Sequence, residues 1–150
     1  MAAFVSTTAE KRELVNNNAF NVAGGVYTRV FTFTIPSTAG ATDTCELVNV
    51  KIPAGTVILG AHTISSGANG NSTTMSLETT TTTAVIAAAT AYATSWTSQA
   101  VTTPLATTTA EETLTVTLAV GVPSVTTTIT VNLICASLGA PASGQTTYTV

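Results

Sequence analysis

The sequence predicts an all-β protein, an antiparallel β-sandwich or jelly roll with an N-terminal arm. Three observations predict it. Charged residues make up only 7% of the 150 positions, against roughly 25% in an ordinary soluble domain. Threonine takes their place at 35 positions, and its β-branched side chain suits a pleated surface better than a helix. Apolar residues then recur with period two in about eight segments spaced near ten residues apart, with turn residues between them. The length and a 45% hydrophobic content suit one domain with a buried core.

Residues 1–25 read as the arm. Glu10, Lys11, Arg12 and Glu13 stand together ahead of Asn16, Asn17 and Asn18. Thr7 and Glu10 have capping-box spacing, which fits a helical turn or two from about Ala9 to Asn16. The alternative is an extended arm, since terminal segments are held only where they dock. A sandwich domain over 26–137 follows. In VYTRVFTFTI, Phe31, Phe33 and Ile35 share one face and Thr28, Thr32 and Thr34 the other, and Pro36 closes the strand. Cys45–Ile52 is the second strand, with Val48, Val50 and Ile52 on one side, Glu46 on the same parity, and Asn49 and Lys51 opposite. Pro53-Ala54-Gly55 forms a turn in which glycine can take positive φ.

Thr56–Ile64 is apolar on both faces and is expected to be covered on both. After the SSGANGNS loop, Met75 and Leu77 alternate with Thr74 and Ser76, and this segment is expected to pair with the preceding one as a hairpin. From Thr79 to Ala93 a threonine run meets an alanine-rich stretch, read as strand passing into a short helix or an irregular excursion. Trp96 with Tyr92 is expected to plug one end of the core. Leu114, Val116, Leu118 and Val120 alternate strictly, as do Ile129, Val131, Leu133 and Cys135, and residues 121–124 read as a hairpin connection between them. Residues 138–150 form a tail ending in a short strand, TTYTV, that needs a partner.

Composition also excludes functions. Four basic residues and a net charge of -3 cannot build the Lys/Arg stripe that phosphate neutralisation requires, so nucleic acid is not an expected partner. The longest strictly apolar run, residues 84–89, falls far below the roughly 20 residues of a spanning helix, so no membrane partner is expected either. The N-terminus has no basic region before an apolar stretch and reads as no secretory signal, which implies synthesis in the host cytoplasm. One histidine, His62, and two isolated cysteines, Cys45 and Cys135, leave no metal-ligand spacing and no redox motif.

The remaining chemical candidates each have a plainer explanation. His62 is expected to be a hydrogen-bonded structural histidine, and Glu111-Glu112 a charged pair in a turn, not the paired carboxylates of glycoside hydrolysis. Cys45 and Cys135 read as buried free thiols. No nucleophile elbow, phosphate loop or zinc-protease spacing occurs. No catalytic, metal-binding or cofactor-binding residue is therefore assigned. Low charge, open strand edges and extendable termini point instead to a structural subunit of a symmetric assembly, in which a terminal strand adds to a neighbour's sheet.

The stretch TCELVNVKIPAGTVILGAHTISSGANGNSTTMSLETTTT resembles the core of small tailed-bacteriophage virion proteins, in which a strand ending in K-[IV]-P-A-G precedes V-x-[LV]-x-A, a glycine-rich turn and S/T-T-x-x-L. ETLTVTLAVGVPSVTTTITVNLI resembles their closing strands, so the resemblance runs from Phe31 to Ala136. Thr79–Thr83 stand where that pattern often carries acidic residues. The resemblance implies a capsid decoration (cement) protein or a related head or tail component. It would be a trimeric β-sandwich or jelly roll on the capsid surface of the virion, with the major capsid protein as partner. On that reading Phe4, Val5, Lys11 and Arg12 of the arm, and Tyr148 and Val150 of the tail, form the interface. Two rival readings are a host-glycan-binding module using Trp96, Tyr92 or Tyr148, and a small hydrolase using His62 or Glu111-Glu112.

Overall fold

In the computed structural model, nine strands and no helix form among the described residues, which are 3, 9–13, 25–67, 74–79, 84–91, 93–101, 110–120 and 124–137. The strands are β1 (Ala9–Glu13), β2 (Gly25–Ile35), β3 (Thr44–Ile52), β4 (Thr56–Ser65), β5 (Thr74–Thr79), β6 (Ala84–Ala91), β7 (Thr97–Gln99), β8 (Glu112–Val120) and β9 (Thr127–Ser137). They build two antiparallel sheets, five-stranded in the order β1-β2-β9-β4-β7 and four-stranded in the order β3-β8-β5-β6. This is the predicted all-β sandwich.

The core lies between the sheets and is made by the alternation read from the sequence. Phe31, Phe33 and Ile35 of β2, Leu114, Val116 and Leu118 of β8, and Ile129, Val131 and Leu133 of β9 are all buried. Their threonine neighbours Thr32, Thr34, Thr115, Thr117, Thr128 and Thr130 are partly exposed. Gly55 takes φ 73° in the β3–β4 turn, as that turn requires.

Several local expectations fail for identifiable reasons. The arm forms a strand at Ala9–Glu13 and no helical turn there, because the open side of β2 offers a ladder that an isolated turn cannot match. Neither expected hairpin exists: β4 and β5 belong to different sheets, as do β8 and β9. Alternation shows that a strand is half-buried, not which sheet it joins. In β3 the register with β8 slips between Leu47 and Lys51. This bulge moves Cys45 and Leu47 into the core beside Val50 and Ile52, and turns Val48 out to 57% exposure. A second slip in β4, between Ile58 and Gly60, leaves Leu59 50% exposed, so β4 is covered on one face only. The alanine-rich segment is strand β6 and contains no helix, since its pairing with β5 outweighs a weak helical preference.

Candidate functional site

The functional candidates fall at the two ends of the five-stranded sheet. At one end, β1 covers β2, with Lys11 opposite Val30 and Arg12 opposite Arg29. Ala3 makes an isolated parallel bridge to Thr44 at the start of β3. The described residues of the arm thus reach both sheets, β1 along β2 and Ala3 at the start of β3. Phe4, Val5, Tyr148 and Val150 lie outside the described residues. On the opposite side, a bridge between Ile86 and Val101 links β6 to the segment after β7.

Beneath the arm, Arg29 is only 1% exposed. Its Nη1 donates to the Lys51 carbonyl on β3, tying the two sheets together. Close by in the same strand, the Tyr27 hydroxyl lies 3.2 Å from Thr56 Oγ1. Arg29 shares the parity of Phe31, Phe33 and Ile35, so alternation already marks it as inward; a buried cation simply contradicts expectation for that residue type. Burial pushes the Cys135 thiol up to about 12, against the opposing pull of the Arg29 guanidinium. At neutral pH this thiol is protonated, so it serves neither as nucleophile nor as thiolate ligand. Cys45 is likewise buried and forms no disulfide.

At the other end, β7 pairs with β4 so that Ser98 stands opposite His62, and His62 stands opposite Asn132 of β9. The neighbouring row places Thr130 opposite Ile64, and Trp96 directly precedes β7. Gln99 points inward, where its Nε2 donates to Thr63 Oγ1 at 2.6 Å. His62 is half-buried on the outer face, not a core histidine. Trp96 is 55% exposed and plugs nothing, because β7 ends the sheet and its outward positions have no layer above them. Tyr92 lies outside the described residues. Asn132 Oδ1 is buried without a hydrogen-bond partner. Sequence reasoning missed Ser98 and Asn132, since only the pairing of three non-consecutive strands brings them to His62.

Away from β1, the outer faces of the two sheets differ in charge. Across β2, β9, β4 and β7 no outward position carries a charge, whereas Glu46, Lys51 and Glu78 belong to the four-stranded sheet. Lys51 Nζ donates to Thr113 Oγ1 at 2.7 Å, and Glu78 Oε1 accepts from Ser76 Oγ at 2.6 Å. The Glu111-Glu112 pair splits: Glu111 is exposed, while Glu112 opens β8 opposite Ile52 and is 8% exposed. His62 faces outward from the five-stranded sheet and Glu112 opens β8 of the other sheet, so the fold does not bring these two together. Among the described residues no three of His, Cys, Asp and Glu gather as a metal site.

No protein-family model matches the chain, and no curated protein does. A solved chain from the capsid of Ralstonia phage GP4 is similar in fold, with a TM-score of 0.62 at 18% identity, covering 78% of this chain and 87% of that one. That capsid chain is therefore the shorter of the two, and the likeness extends over most of both.

Proposed function

We propose that this chain is a non-enzymatic structural protein of a phage virion, a decoration or cement protein that binds between major capsid subunits on the shell surface and stabilises it. The observation that carries this reading is the likeness in fold, over 78% of this chain, to a phage capsid chain of similar size. The arm supplies the means. A strand that covers β2 through ladder hydrogen bonds, joined to it by residues 14–24, can pair with a neighbouring sheet instead, where main-chain hydrogen bonds give affinity without a dedicated pocket. Residues 1–25 then act as the docking arm, with Phe4, Val5, Lys11 and Arg12 at the contact. The tail of residues 138–150, with Tyr148 and Val150, supplies a second contact, and a trimer is the favoured oligomer. Few charges need desolvating when such a surface is covered.

The test is to prepare particles with and without the protein and expose them to heat and osmotic shock. Particles lacking it should rupture at lower temperature and milder shock. Equal resistance of the two preparations contradicts a reinforcing role.

A further inference from the structure

We infer that in the free subunit residues 138–150 fold back over the outer face of the five-stranded sheet and cover an apolar patch at the end where β9 stops. Val26 of β2, Ala136 of β9 and Val57 of β4 share one row on that face. In the next row Ile134 stands between Thr28 and Gly60. The slip of register at Ile58–Gly60 keeps Leu59 on the same side as Gly60, flanked by the buried Ile58 and Ala61. A Cβ at Gly60 would lie 3.6 Å from Ile134 Cδ1, so the isoleucine side chain spreads over the glycine. Val26 is 49% and Leu59 50% exposed, and Val57 and Ile134 are partly exposed. Toward the other end of the same strands the outward positions become Thr32 and Thr34, paired with Thr130 and Thr128. Aliphatic surface is thus concentrated where the chain leaves the sheet, and an exposed cluster of this kind marks a contact surface.

Position, reach and chemistry select the chain's own tail as the cover. Ser137 ends β9 in register with Gly25 and Thr56, one residue beyond the patch, so residues 138–150, which lie outside the described residues, start beside it. Residues 138–145 include Gly139, Pro141 and Gly144, which suit a reversal of direction. They can span at most about 28 Å, against roughly 10 Å across the three strands. In the TTYTV run that follows, Tyr148 and Val150 alternate with Thr147 and Thr149, so one side of the run matches an aliphatic surface and the other matches water. Neither the tail nor the outward positions of β2, β9 and β4 carry Asp, Glu, Lys or Arg, so no ion is desolvated when they meet. A tether this short sets an effective concentration on the order of 1 mM, far above that of a second copy in dilute solution. A subunit closed in this way does not associate through the patch, and the cover requires no shell.

L59C places one reactive thiol in the patch, since Cys45 and Cys135 are both buried. Maleimide labelling of L59C at neutral pH should be at least about tenfold slower in the full chain than in a chain ending at Ser137. Y148S combined with V150S in the full chain should restore most of the faster rate. V125C, exposed beyond the other end of β9, should label equally in both lengths. Thermal unfolding of each variant separates loss of the cover from loss of the fold. With benzoylphenylalanine in place of Tyr148, photolysis of mixed light and heavy-isotope chains should join position 148 to Val57, Leu59 or Ile134 of the same chain. Equal labelling of L59C in the two lengths overturns the inference. Crosslinks between light and heavy chains overturn it in favour of a second copy, and crosslinks confined to other parts of the sandwich overturn it as well.

Discussion

Where the five-stranded sheet ends at β1, Glu10, Lys11, Arg12 and Glu13 stand in a row, and residues 14–24 separate them from the strand they cover; where it ends at β7, only Thr97, Ser98 and Gln99 complete it, without a charge. Both arrangements answer the same problem, since a terminal strand presents unpaired backbone groups to any other chain. A row of charges protects the first end and brevity protects the second. The edges are therefore better guarded than the low overall charge suggests, and the two guards have different consequences. A charged strand on a long connection can leave its own sheet and join another. A three-residue strand anchored by a buried glutamine holds a fixed constellation of side chains.

The largest expected effect separates the two ends by function. Deleting residues 1–13 should weaken attachment to particles at least about 100-fold, while W96A should leave it within about twofold, both measured by co-sedimentation. Equal losses would mean that the two ends serve one contact.

The next effects concern the buried polar group under each end. R29M removes the donor to the Lys51 carbonyl and leaves a poorly filled site, so it should destabilise by roughly 2–4 kcal/mol in denaturant unfolding. Q99A removes one neutral hydrogen bond to Thr63 and should cost about 1–2 kcal/mol. A larger cost for Q99A would place the main anchor of the fold at β7 and not beneath β1.

The smallest effect lies between the ends, at Cys135. Its thiol is raised from 9.0 to about 12 in the folded protein, so above pH 9 the unfolded chain releases a proton that the native state retains. Its contribution is thus fully present below pH 9 and is lost as pH rises toward 12, at up to about 1.4 kcal/mol per pH unit. In C135S this alkaline decline should be shallower across that window. An unchanged slope would show that other groups govern it.

Much of this architecture was legible in the sequence, and the exceptions follow a pattern. β2, β8 and β9 are readable because each keeps unbroken alternation, so period two alone fixes which residues enter the core. β3 and β4 are readable as strands but not face by face, because a slip of register at residues 47–51 or 58–60 leaves no mark in composition while reversing every side chain beyond it. β6 was hidden by alanine, whose local preference for helix is smaller than the gain from completing a ladder. The arm was legible as an arm, but its strand depended on the open side of β2. The β7 corner is least legible, because only non-local pairing brings Ser98 and Asn132 to His62.

The central claim is an orientation, with the β1 end against a phage shell and the β7 corner away from it. A cryo-electron microscopy reconstruction of the virion tests it most directly. Copies of this sandwich are expected on the outer surface of the shell, between major capsid subunits, with density for residues 1–13 running into the shell and Trp96 facing solvent. Particles without such density, or with the β7 end buried in the shell and the arm free, would contradict it.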